Sequence, residues 1–192
     1  IEGGRIVVRG FASTHASDDV AAPTEPVAGN ACFYGARDGE GFVRGAAGER
    51  FGVRNSGSTL VVEGAGDHAA EYMTAGFMAI LGPVGKNFAS GMSGGVVFVA
   101  LPHRYDPSSH DLAMGPTTCG LTAARADDPD SAKLRAVLER YAAATGSTRA
   151  AKLLADWPRA LERFAKLAPV ELTPEPLREV LRESGATLVS ST

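Results

Sequence analysis

A chain of 192 residues with 44% hydrophobic residues, 21% charged residues and a net charge of −3 is long enough for a core of its own and has an ordinary globular balance. It holds no dense basic run, which argues against nucleic acid or an anionic membrane surface as partner, and no apolar stretch near the ~20 residues that span a bilayer. Its cysteines, Cys32 and Cys119, lie far apart with no CxxC pattern. That fits structural thiols in a reducing compartment and leaves this chain without the ligands of a four-cysteine metal site or standard iron–sulfur cluster. The opening residues lack the layout of a signal peptide, so a cytoplasmic location is expected.

In chain order, "GGRIVVRG" (Gly3 to Gly10) reads as a strand. Phe11 to Ala28, rich in Ala, Ser, Asp and Pro, reads as a loop inserted between repeats. From there to Leu101 glycines recur at a nearly even beat: Gly48, Gly57, Gly66, Gly76, Gly85, Gly94. The chain carries 23 glycines, about 12% against a usual ~7%. Doubling the beat gives a period of about 19 residues. Under that shift Phe42, Val61, Ile80 and Val99 coincide, as do Gly41, Leu60, Ala79 and Phe98, and Val43, Val62, Leu81 and Ala100. Asn30, Glu49, His68 and Asn87 form one polar column, and Asn55, Thr74 and Ser93 another, expected as a polar ladder at a corner.

Short apolar runs repeated at about 19 residues and separated by glycine suit a stacked coil. The expected fold is an all-β core: a right-handed parallel β-helix, a single-stranded solenoid with equivalent strands 4.7–4.9 Å apart in an ordinary sheet. Glycine then belongs at corners, where stacked backbones leave no room for side chains and often need φ > 0.

Residues 1–101 are assigned to the solenoid, with 11–28 as the inserted loop. Residues 102–129 have no period and read as an irregular connection that crosses the solenoid surface or covers an end. Residues 130–192 read as an appended C-terminal α-helical segment. There Asp130 or Ser131 caps a helix to about Ala144, with Leu134, Val137, Leu138 and Tyr141 on one face. Ser147 caps a second helix running to about Leu167, kinked or restarted at Pro158. Thr173 opens a third.

Asp67, His68 and Glu71 in "GDHAAEY" are residue types for metal binding or acid–base chemistry. A structural role weighs more: His68 stacks in a corner column, and the two acids cap turns or neutralise Arg44, Arg50 or Arg54. Arg50, Arg54 and Asn55 in "ERFGVRNSG" could hold a phosphate, but arginines pairing with acids of adjacent coils or at a domain interface is the simpler reading. "GPVGKNFASG" with Lys86 lacks the spacing and following helix of a phosphate loop. Ser90 and Ser93 lack the strand–turn–helix setting of a nucleophile. His15, His103 and His110 show no ligand spacing, and Trp157 fits a helical core position. No catalytic, cofactor-binding or metal residue is assigned.

"AGERFGVRNSG", "GDHAAEYMT" and "GKNFASGMSGG" closely resemble the C-terminal GXGXG β-helix domain of the glutamate synthase large (alpha) subunit. The resemblance spans about Gly3 to Val99 and continues more weakly from Thr145 to Glu171. The β-helix subunit of formylmethanofuran dehydrogenase is a looser relative. The resemblance implies a non-catalytic part of an enzyme that converts glutamine and 2-oxoglutarate to glutamate. Its FMN and iron–sulfur cluster would lie in partner domains, and its amidotransferase and FMN-binding domains would be the partners, in the same or another chain. An oligomer is compatible with this. The family carries further coils before "GGRIVVRG", so the first coil here is expected to present an open stacking face, covered by another segment or partner. The alternatives are a solenoid subunit of another oxidoreductase or amidotransferase complex, and a small ligand-binding or enzymatic module using Asp67, His68 and Glu71.

Overall fold

A computed structural model describes residues 1–10, 26–109 and 111–170. Its strands are β1 (Glu2–Arg9), β2 (Pro26–Ala28), β3 (Asp38–Ala47), β4 (Ser56–Ala65), β5 (Ala75–Ile80), β6 (Val96–Ala100), β7 (Cys119–Ala123) and β8 (Phe164–Pro169). The helices are α1 (Pro129–Thr145) and α2 (Thr148–Ala155), followed by a 3-10 turn at Arg159–Arg163. The sheet order is β1-β3-β4-β5-β6-β8-β7, with β2 also on β3. From β1 to β6 all pairings are parallel, as successive coils of a β-solenoid require. Residues 26–28, placed in the inserted loop from the sequence, form β2; the rest of that loop, 11–25, lies outside the described residues.

The period is not uniform. Phe42 pairs with Val61, 19 residues on, but Val61 pairs with Ala79 and Val62 with Ile80, 18 residues on. The 19-residue beat returns between Phe77 and Val96. The true columns are therefore Phe42–Val61–Ala79–Phe98 and Val43–Val62–Ile80–Val99. A uniform shift of 19 misplaces the third coil by one residue, and one residue moves a side chain to the other face. Irregular pairing between Ser56 and Thr59 marks the slip on β4.

Both faces of the strands are covered. Leu60, Val62, Met78, Ile80, Val97 and Val99 fill the solenoid interior with Phe51, Met73, Phe88 and Met92 from the corners. Phe42, Val61, Phe77, Ala79 and Phe98 point the other way, against Leu134, Val137, Leu138 and Tyr141 of α1, Leu153 of α2, and Leu161 and Phe164. Two buried faces explain why "FMAIL" and "VVFVA" are continuous apolar runs and do not alternate. Each large side chain so buried contributes roughly 2 kcal/mol.

Opposite the strands each coil turns through an unusual corner, where every second residue is left-handed. The positions are Ala31, Phe33 and Gly35; Arg50, Gly52 and Arg54; His68, Ala70 and Tyr72; and Asn87, Ala89 and Gly91, with φ between 54° and 67°. The alternation aims backbone groups along the stack. Arg50 and Arg54 donate their N–H groups to Asp67 O and Glu71 O of the next coil, both at 2.8 Å, while Gly52 donates back to Cys32 O at 2.9 Å. The same pattern recurs one coil on at His68, Ala70 and Tyr72.

The chain after β6 closes the solenoid's far end. At the last corner, Phe88 donates to Ala113 O, Gly91 to Pro116 O, and Gly115 to Phe88 O. The connection contains β7, and β8 lies antiparallel between β6 and β7. The second helix expected from the sequence thus stops at Ala155, and "FAKLAP" is a strand. Ala165 and Leu167 join the interior while Phe164 joins the outer cluster, an alternation only a strand provides. α1 is capped by Asp128, two residues before the expected start, with Pro129 in the first turn, and it ends at left-handed Gly146 (φ 70°). Ser147 caps α2, as its sequence position predicts, by accepting from Ala150 N–H. The helix expected from Thr173 lies outside the described residues.

At the other end of the stack, no strand among the described residues pairs with the outer edge of β1. On β1, Ile6 is 47% exposed although it pairs with Gly41 in an interior column, and Val7 beside it is 37% exposed. Tyr34, on the first corner, is 52% exposed.

Candidate functional site

Asp67, His68 and Glu71 all sit on the third corner, spaced along it by the left-handed alternation. The Asp67 carboxylate accepts the Lys86 N–H of the next coil at 2.7 Å. Asn30 does the same two coils earlier, accepting the Glu49 N–H at 2.9 Å. Asp67 therefore acts as a corner cap. His68 Nδ1 faces Glu71 Oε1 at 3.5 Å, beyond good hydrogen-bond geometry, and is otherwise unsatisfied. The three side chains do not converge, and the described residues contain no group of three or more His, Cys, Asp or Glu able to hold a metal ion.

Arg50 and Arg54 are exposed and make no ion pair among the described residues. The acids expected to neutralise them bond elsewhere, and Arg44 donates to Gly10 O at 2.7 Å. Asn55 is fully buried; its side chain accepts from Ser58 N–H at 3.0 Å and donates to Ser58 O at 3.0 Å. Thr74 and Ser93 stand exposed, and the column is stitched by backbone instead, with Thr74 N–H donating to Asn55 O and Ser93 N–H to Met73 O. The expected polar ladder is thus a backbone ladder with one buried asparagine.

A denser polar cluster lies where the solenoid meets the helices. Glu63 of β4 is buried there with Tyr141, Thr145, Ser147 and Arg149. Its carboxylate accepts from the Tyr141 hydroxyl at 3.1 Å and from the Ser147 hydroxyl. Tyr141 also lies within 2.9 Å of Val43 O, and Thr145 donates its hydroxyl to Tyr141 O. Arg149 donates to Glu63 O at 3.1 Å and Leu81 O at 3.0 Å, so it bridges two coils. Burial, then the Glu63 charge, pushes the Tyr141 hydroxyl well above its ordinary pKa. Sequence reading missed this cluster, since its members are spread over 87 positions and share no motif; the one signal was a lone glutamate in "LVVEGA".

Two further ties bind the helical layer. Glu40 of β3 sits between Arg5 and Arg140, joining β1, β3 and α1. Burial opposes its charge, but the two guanidinium groups prevail and hold its carboxyl low. Lys166 of β8 reaches both Asp128 and Asp130 at the start of α1. Burial is the largest influence on Asp128 and raises it, yet the Lys166 and Asp130 N–H contacts bring the net shift down.

The GXGXG motif family model matches residues 1–170. The chain is 42% identical over 176 residues to the glutamate synthase (NADPH) large chain of Bacillus subtilis, covering 88% of this chain and 11% of that one. It is 42% identical over 160 residues to glutamate synthase (NADH) of Schizosaccharomyces pombe, covering 83% of this chain and 7% of that one. Against the chloroplastic ferredoxin-dependent glutamate synthase of Spinacia oleracea it is 40% identical over 172 residues, covering 86% of this chain and 10% of that one. The chain thus spans about a tenth of the length of these curated relatives. With a stacked coil and a match over nearly all described residues, the chain belongs to the GXGXG motif family.

Proposed function

We propose that this chain is the non-catalytic scaffold domain of a glutamate synthase, an enzyme that forms glutamate from glutamine and 2-oxoglutarate in ammonia assimilation. The observation that carries this reading is where the polar chemistry is used. The Asp67 and Asn55 side chains bond backbone, and Glu63 and Arg149 lie inside the seam between solenoid and helices. Such an arrangement builds a rigid body. The relatives lend support: chains named for NADPH, NADH and ferredoxin match this one at 40–42% identity. A region alike across three electron donors is not where the donor is selected.

The β1 end is the contact face in this reading. Paired strands need a neighbour, and an exposed edge with apolar residues invites one. Other elements of the full-length enzyme would cover Ile6, Val7 and Tyr34. FMN and the iron–sulfur cluster would reside in those domains, along with the amidotransferase chemistry.

The test is a Val7→Asp substitution in the full-length enzyme, placing a charge on that edge. Glutamine hydrolysis should persist while glutamate formed per glutamine hydrolysed falls, with increased hydrogen exchange along β1. Unchanged coupling and unchanged exchange would remove the contact-face role. Turnover of a substrate by the isolated chain would remove the scaffold reading itself.

A further inference from the structure

The 3-10 turn after α2 forms one wall of an open cleft of about 360 Å³. Its lining is Pro102 and Arg104 from the connection after β6, Asp156 at the end of α2, and Arg159, Glu162 and Arg163 from the turn. Three guanidinium groups therefore share one depression with two carboxylates, an excess of positive charge in a chain whose net charge is −3.

The arginines are unequally engaged. Arg163 is half-buried and donates Nε to Leu101 O at 2.9 Å, which fixes its plane and leaves the two terminal nitrogens. Arg104 meets Glu162 only at 3.9 Å, a loose contact between exposed groups. Arg159 is exposed and has no ion pair or hydrogen-bond partner among the described residues. Backbone holds the framework, since Leu101 N–H donates to Arg163 O and Tyr105 N–H to Glu162 O, so the turn and connection move together. A guanidinium presents a planar fork of donors that matches a carboxylate or phosphate.

We propose that this cleft is an anion site that takes the carboxylate or phosphate group of a small molecule between Arg159 and Arg163, with Arg104 closing the outer side. Asp156 and Glu162 limit the charge the site accepts, so a single oxyanion group fits better than a polyanion. None of the sequence motifs points here, because the residues come from two segments whose nearest members, Arg104 and Asp156, are 52 positions apart.

The experiment titrates the 192-residue chain with inorganic phosphate, with succinate and with sodium chloride at matched ionic strength, following amide and arginine side-chain NMR shifts. Saturable shifts at Arg159, Arg163 and Tyr105 with phosphate or succinate, and none with chloride, are expected; which of the two binds more tightly separates a phosphate from a carboxylate ligand. Arg159→Gln should weaken binding about tenfold or more, the usual worth of a charge-assisted hydrogen bond. Arg135→Gln on α1, whose partner is Glu139, should leave it unchanged. Non-saturating shifts that chloride reproduces, or equal affinity in the Arg159 and Arg135 variants, would overturn the site.

Discussion

At the residue scale the glycine beat has a different cause at different positions. Gly57 and Gly94 are not left-handed, yet a Cβ on Gly57 would stand 2.0 Å from Arg37 O and one on Gly94 2.1 Å from Thr74 O. They are glycine because the adjacent coil's backbone occupies the space of a side chain. Gly57→Ala should therefore cost about 3 kcal/mol, the upper end for overpacking, measured as a fall in the denaturant midpoint. The left-handed corners behave oppositely, since most carry a Cβ. A left-handed conformation costs an L-residue about 1–2 kcal/mol, and the inter-coil hydrogen bonds offset it here. Arg54 is left-handed (φ 57°) and exposed, and its side chain makes no ion pair among the described residues. Arg54→Gly should raise stability by about 1 kcal/mol, whereas Arg54→Ala should change it little; equal effects of the two would rule out backbone strain there. The stack of glycines was legible in the sequence and the corner geometry was not. Ala, Phe, Arg and Tyr carry no local signal for φ > 0, and only pairing between coils holds them there.

At the scale of elements, the solenoid and helical layer are joined by buried polar contacts at defined points. Glu63→Ala leaves the Tyr141 and Ser147 hydroxyls without their shared acceptor. It should cost about 2 kcal/mol, within the range for one unsatisfied buried donor, because the Tyr141 hydroxyl keeps Val43 O at 2.9 Å and the Ser147 hydroxyl is the donor that loses its acceptor. Hydrogen exchange should then rise in α1 and α2 before β4 and β5; uniform loss across the chain would contradict a seam. Asp128 both caps α1 and receives Lys166. Its folded pKa lies below its unfolded value of about 3.9. Its contribution is therefore complete above about pH 4 and disappears as pH falls through the lower folded value. Asp128→Asn should flatten the acid limb of the thermal midpoint against pH, and an unaltered limb would show that the Lys166 contact contributes nothing. The strand β8 marks where sequence reading fell short at this scale. Leu161, Phe164 and Leu167 suit a helical face, but the free edge of β6 demanded a partner, and such tertiary demand leaves no local trace in a short apolar run.

At the scale of the whole molecule, the stack is closed at one end by β8, β7 and the connection before them, and among the described residues no strand covers β1 at the other. The coil period made that architecture readable, because each repeat had to place apolar residues on the same interior. The 18-residue coil was not readable, since a one-residue slip exchanges one apolar residue for another when both strand faces are buried. The polar corner at Asp67, His68 and Glu71 is where scaffold and active site give opposite expectations. The deciding measurement is steady-state glutamate formation by the full-length enzyme carrying Asp67→Ala, His68→Ala and Glu71→Ala together, read beside its thermal midpoint. The account predicts turnover retained at 25 °C with a lowered midpoint from the lost cap on Lys86. Turnover abolished with the midpoint unchanged would contradict it and place chemistry on the corner.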